Sequence, residues 1–238
     1  MSETVNRTTL SGLYVITDTI RFQREALVEA VGEAIAGGAT MVQYRDKSDE
    51  ADRRRAEATA LAELCRRHAV PLIINDDVAL AIEVGAAGVH LGRDDAPLAE
   101  TRARFAAAGR DAIIGVSCYA DRLRAERAAA DGADYLAFGA MFPSPTKPNA
   151  PGAPADVLGW ARERLDRPVC GIGGITAANV AELMPHRPDL IAVISAVFAA
   201  PDIRRAAERL CEAMARPMAR PLRVSTDTIQ KSEDPENS

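Results

Sequence analysis

Eight short apolar runs recur along the chain, and each is followed by a longer segment of helical periodicity. They are GLYVIT (12 to 17), TMVQY (40 to 44), PLIIN (71 to 75), AGVHL (87 to 91), AIIGV (112 to 116), DYLAF (134 to 138), PVCGI (168 to 172) and LIAVIS (190 to 195). None alternates apolar with polar residues, so both faces of each strand are expected to be buried, as in a parallel sheet covered by helices. Eight strand-then-helix units within a chain of 238 residues point to an α/β protein with one closed (β/α)8 TIM barrel rather than two open sheets. The barrel is placed at 12–215, after a polar N-terminal segment at 1–11. The three prolines and few apolar residues from Arg216 onward read as a disordered tail at 216–238.

The intervening segments carry the expected stripes: Leu27, Val31 and Ile35 in the first, Leu61, Leu64 and Cys65 in the second, and Ile203, Ala206, Leu210 and Met214 in the last. The stretch from Asp121 to Ala130 is helical mainly through its alanine content. Gly-Ala recurs at 38, 85 and 132, at intervals of 47 residues and always before an even-numbered strand, where a glycine can end the preceding helix in the left-handed conformation. The fourth expected unit, MPHRPDL, lacks the dipeptide.

Charge and cysteine usage narrow the function. A net charge of −5 argues against a general nucleic-acid binder, and no apolar run approaches the roughly 18 residues of a membrane span. The N-terminus lacks the layout of a secretory signal, so a cytoplasmic protein is expected. Cys65, Cys118, Cys170 and Cys211 are scattered, without metal-binding spacing, and read as unpaired thiols. Only three lysines, Lys47, Lys147 and Lys231, occur among 29 cationic residues, and two of them sit in polar loops just after strands. A retained lysine there suggests a task for a compact ammonium.

In a barrel of this kind the chemistry lies at the carboxyl ends of the strands. QYRDK places Gln43, Arg45 and Lys47 at alternate positions of an extended segment, two cations and an amide suited to an oxygen-rich, multiply charged ligand. Alone, the pattern also suits an ordinary surface loop. NDD and HLGRDD bring Asp76 and Asp95 within reach of each other on neighbouring loops, where Mg²⁺ could lie between carboxylates and phosphate. Asp77 and Asp94 are read as helix caps, and His90, inside its apolar run, as a buried structural residue. GIGGI before a helix starting near Thr176, with ISA after the eighth strand, matches a barrel phosphate site. Between these two anion sites lies GAMFPSPTKPNAP (139 to 151), a stiff loop whose Ser144, Thr146 and Lys147 supply donors.

Taken in order, YVITD, VQYRDK, LIINDD, GVHLGRDD, IGVSCY, FGAMFPSPTK, CGIGGIT and VISAVF resemble the thiamine-phosphate synthase family, from about Leu13 to Phe198. The resemblance implies a Mg²⁺-dependent transferase that joins aminomethylhydroxypyrimidine pyrophosphate to hydroxyethylthiazole phosphate. It implies that Gln43, Arg45, Lys47, Asn75, Ser117 and Lys147 hold the pyrimidine pyrophosphate, and that Asp76 and Asp95 hold the metal. Ser144, Thr146, Gly174, Ile194 and Ser195 would hold the thiazole phosphate. Its expected partners are these small molecules, and a homodimer is the expected assembly. Asp46, Arg93 and Ser144 depart from the family's usual glutamate, glutamine and threonine. Asp46 should face away from its alternating neighbours. A thiazole tautomerase-like isomerase on the same barrel would need no pyrophosphate site, and a non-catalytic sensor of phosphorylated ligands would show degraded metal or leaving-group residues. The chain matches neither expectation. A Schiff-base aldolase would want a lysine within a strand, and no predicted strand contains one.

Overall fold

A computed structural model describes residues 10–143 and 152–215. Of the rim residues read from the sequence, Ser144, Thr146 and Lys147, like the tail at 216–238, lie outside the described residues. The strands are β1 (Gly12–Ile16), β2 (Ala39–Tyr44), β3 (Leu72–Asn75), β4 (Gly88–Leu91), β5 (Ile113–Tyr119), β6 (Tyr135–Phe138), β7 (Val169–Ile172) and β8 (Leu190–Val193). They pair in sequence order, and β8 pairs in parallel with β1, closing the barrel. All eight coincide with the apolar runs read from the sequence, because a strand covered on both faces leaves an unbroken apolar signal.

Helices α1 (Arg24–Ala36), α2 (Ala51–Arg67), α3 (Val78–Glu83), α4 (Leu98–Ala107), α5 (Arg122–Ala130) and α6 (Asp156–Arg164) follow β1 to β6 in turn. The one-helix-per-strand expectation fails after β7. That connection holds only two single-turn 3₁₀ helices, Val180–Glu182 and Met184–His186, whereas β8 is followed by α7 (Ser195–Phe198) and α8 (Ile203–Ala215). The three Gly-Ala glycines all have positive φ, and in the fourth unit the left-handed position is taken by Arg187, at φ 54°.

Two sets of side chains make the core. Tyr14, Ile16, Met41, Ile73, Ile113, Tyr135, Cys170 and Leu190 form one cluster with other strand residues. The larger cluster, with Leu27, Leu61, Phe105, Leu158 and Leu210, packs helices against the strands. Each such aliphatic side chain withdrawn from water contributes about 1.5–3 kcal/mol. All four cysteines are unpaired, and burial pushes the Cys65 and Cys118 thiols up to about 12. No described helix is long and apolar enough to cross a membrane.

Candidate active site

The segment after β2 is held in place by charges that the sequence disguises as surface residues. Glu57, on α2, is only 2% exposed. Its carboxylate accepts from the Tyr44 hydroxyl at 2.7 Å and from the backbone N–H of Arg24 at 2.8 Å. Arg53, one turn earlier on the same helix, pairs with Asp46 at 3.0 Å and with Glu50 at 3.1 Å. Asp46 thus faces the helix, as alternation predicts. Thr17, just beyond β1, accepts from the Arg45 backbone N–H at 2.9 Å. Strand β2 ends at Tyr44, so Gln43 is a strand residue, 2% exposed, while Lys47 stands at the rim.

At that rim Lys47 contacts the Asp76 carboxylate, and Asn75, the last residue of β3, donates to the same oxygen at 2.7 Å. The Lys47 side chain is 58% exposed, so the pair contributes under about 1 kcal/mol to stability and serves to place charge rather than to hold the fold. Asp76 occupies the left-handed region at φ 62°, which short polar side chains tolerate best. Its carboxyl group meets that of Asp95 from the next loop. Burial first, and then the Asp76 contact, raises the Asp95 pKa above the ordinary carboxylate range. Asp95 also accepts from the Gly92 N–H at 2.5 Å. Two loops predicted to converge do converge.

The predicted caps divide. Asp77 caps α3, accepting from Leu80 N–H at 3.0 Å, and also pairs with Arg54 at 2.9 Å. Asp94 caps nothing, because α4 begins only after Pro97 and has no side-chain cap. Arg93, also on this loop, places its guanidinium 4.8 Å above the Tyr119 ring.

Ser117 lies near the end of β5 and is fixed from two sides. Arg124 of α5 donates to its carbonyl at 2.7 Å and to the Gly92 carbonyl at 2.8 Å, clamping the β5 end to the Asp95 loop. Its hydroxyl lies 2.8 Å from His90 Nε2. His90 is buried as predicted, and desolvation lowers its pKa to about 4, so the imidazole is neutral at pH 7. Arg124, Arg53 and Glu57 were missed at the sequence level. Within helices dense in arginine and glutamate they look like solvated i,i+4 charges.

On the far side of the rim, Gly173 and Gly174 both have positive φ. A side chain at Gly174 would overlap the carbonyls of Phe142 and Pro143. The loops after β6 and β7 are stitched together, Met141 N–H to Ile172 O and Phe142 N–H to Gly173 O, each at 3.0 Å. The helix expected near Thr176 is a turn instead. Asn179 accepts from the Thr176 N–H at 2.8 Å and donates to the Gly174 carbonyl at 2.9 Å. A helix dipole therefore adds nothing there, and backbone approach alone recommends the loop for phosphate. Ile194 and Ser195 follow β8 directly, with Ser195 exposed.

No three His, Cys, Asp or Glu side chains cluster as a preformed metal cage among the described residues. Asp76 and Asp95 still fit Mg²⁺, which is commonly held by one or two carboxylates together with substrate phosphates. Two carboxyl groups held in contact are also the arrangement a divalent cation relieves.

A closed parallel barrel with paired carboxylates, a lysine and close-packed glycine loops at its carboxyl rim defines a barrel enzyme for phosphorylated small molecules. The family model described as thiamine monophosphate synthase matches residues 13–197. Thiamine-phosphate synthase of Thioalkalivibrio sulfidiphilus is 50% identical over 210 residues, covering 88% of this chain and 97% of that protein. That of Thiobacillus denitrificans is 49% identical over 204 residues, 86% and 95% of the two chains. The solved thiamine phosphate pyrophosphorylase of Pyrococcus furiosus superposes with a TM-score of 0.78 at 36% identity, covering 87% of this chain and 96% of that one. The chain belongs to the thiamine monophosphate synthase family, whose members are transferases.

Proposed function

We infer that the protein is a thiamine-phosphate synthase that joins 4-amino-5-hydroxymethyl-2-methylpyrimidine pyrophosphate to 4-methyl-5-(2-hydroxyethyl)thiazole phosphate with release of pyrophosphate, or to its carboxylate with release of pyrophosphate and carbon dioxide. The observation that carries the site assignment is the meeting of Asp76, Asp95 and Lys47 at the ends of adjoining strands. Gln43, Arg45, Lys47, Asn75, Ser117 and Lys147 hold the pyrimidine pyrophosphate. Ser144, Thr146, Gly174, Ile194 and Ser195 hold the thiazole phosphate.

The reaction needs no protein nucleophile. The bond between the pyrimidine methylene and the pyrophosphate oxygen breaks, its electron pair leaves with pyrophosphate, and the ring amino group stabilises the resulting pyrimidinylmethyl cation. The thiazole nitrogen then forms the new bond to that carbon. Arg45, Lys47 and Lys147 offset charge on the departing group, and the two binding sites hold nitrogen and carbon in line. Bound at Asp76 and Asp95, Mg²⁺ would supply further charge neutralisation to pyrophosphate. The buried thiols of Cys65, Cys118 and Cys170, all raised in pKa by burial, are unsuited to nucleophilic attack.

Asp76→Ala and Asp95→Ala test the assignment. Each should abolish Mg²⁺-dependent turnover while leaving a folded protein. Normal activity in either variant removes that carboxylate from the site.

A further inference from the structure

A chain of hydrogen bonds runs through the barrel interior and joins two residues assigned to the same ligand. Gln43 Nε2 donates to the Tyr14 hydroxyl at 2.6 Å. The Tyr14 and Tyr135 hydroxyls are 2.9 Å apart, and Tyr135 lies 2.9 Å from His90 Nδ1. His90 Nε2 then meets the Ser117 hydroxyl at 2.8 Å. The aromatic rings brace one another: Tyr14 meets Tyr135 edge-on with centroids 5.9 Å apart, and His90 stacks on Tyr135 at 5.6 Å. Gly115 makes room for this, because a side chain there would overlap the Tyr135 ring.

Each tyrosine hydroxyl has one proton, so the polarity set at one end propagates to the other. Tyr14 accepts from Gln43, and its own proton must go to Tyr135 if it is to be satisfied. The Tyr135 proton then goes to His90 Nδ1, which fixes the neutral imidazole with its proton on Nε2. That proton goes to Ser117 Oγ, leaving the Ser117 proton free of the chain. A buried hydroxyl proton without an acceptor costs about 1–3 kcal/mol, so the chain resists local reversal.

We propose that Tyr14, Tyr135 and His90 are positioning residues that fix Gln43 and hold Ser117 as an obligate hydrogen-bond donor toward an acceptor atom of the pyrimidine pyrophosphate. The proposal rests on the synthase reading for the identity of that ligand. It gives a buried polar chain in an otherwise apolar barrel a task beyond its own satisfaction, since an oxygen-rich anion requires donors at the rim.

The test combines a tautomer measurement with kinetics on the full chain. Long-range ¹H–¹⁵N correlation spectra of labelled protein at pH 7 should show His90 protonated on Nε2 and bare on Nδ1, its signals assigned by their loss in His90→Gln. Tyr135→Phe keeps the ring packing and should abolish the pure tautomer. It should also raise the pyrimidine pyrophosphate KM about tenfold without moving the thiazole KM. Ser117→Ala should then add little to Tyr135→Phe, because the two remove one interaction. His90 protonated on Nδ1, additive Tyr135 and Ser117 effects, or equal changes in both KM values would overturn the proposal. Unmodified protein without synthase activity would refute the function above, and the tautomer would still decide the polarity of the chain.

Discussion

Removal of the Glu57 carboxylate should show how far the rim depends on a buried charge. Glu57→Ala deletes an acceptor serving the Tyr44 hydroxyl at 2.7 Å, the Arg24 N–H at 2.8 Å and Arg53 at 3.4 Å. Arg53 keeps Asp46 and Glu50, so its cation is not stranded, but the Arg24 N–H loses its carboxylate partner. Losing two bonds to a buried charged acceptor, at about 1.5–3 kcal/mol each, gives an expected destabilisation of about 3–6 kcal/mol. For a domain of this size that lowers Tm by about 10 °C. Glu57→Gln retains the volume and one good acceptor and should lose roughly half as much. Thermal unfolding followed by circular dichroism reads both values. The pyrimidine pyrophosphate KM should rise in Glu57→Ala, since Arg45 and Lys47 lie on the segment that Tyr44 and Asp46 anchor. A Tm shift below about 2 °C would refute the reasoning, because it would mean that the buried carboxylate is not satisfying these donors.

Stability should also fall with acid through His90. The unfolded imidazole takes up a proton near pH 6.5, the folded one only near pH 4, so the unfolded state binds more protons throughout that window. The full difference is worth about 3 kcal/mol; denaturant titrations from pH 7 to pH 4 should show a decline that is shallower in His90→Gln, and parallel declines would rule His90 out as its source. Gly174→Val places a branched side chain at φ 65° against two carbonyls. It should raise the thiazole phosphate KM by tenfold or more with little change for the pyrimidine substrate, and an unchanged thiazole KM would remove this loop from the site.

The strands were legible because parallel barrel strands are buried on both faces, and LIIN or YLAF leaves little else to read. The connection after β7 was not. GGITAANV resembles a helix start after a phosphate loop, yet Asn179 bonds back to Gly174 and turns the chain instead. Asp94 failed as a cap because three residues, ending in Pro97, separate it from α4. The convergence of Asp76 and Asp95 could be read from strand order, since consecutive strands in a barrel put consecutive loops side by side. What escaped was pairing at long range. Tyr14 and Tyr135 are 121 residues apart, and each looks like an ordinary apolar strand residue until the barrel closes. The clamp of Arg124 on Ser117 and Gly92 was hidden in the same way, as one arginine among many on a helix recognised mainly by alanine.

The most direct test of the central claim is an assay of the purified protein with both phosphorylated substrates, with and without Mg²⁺, following thiamine phosphate by its conversion to fluorescent thiochrome. Product that requires Mg²⁺ and both substrates is the expected result. Folded protein that binds the two ligands yet forms no product would contradict the account.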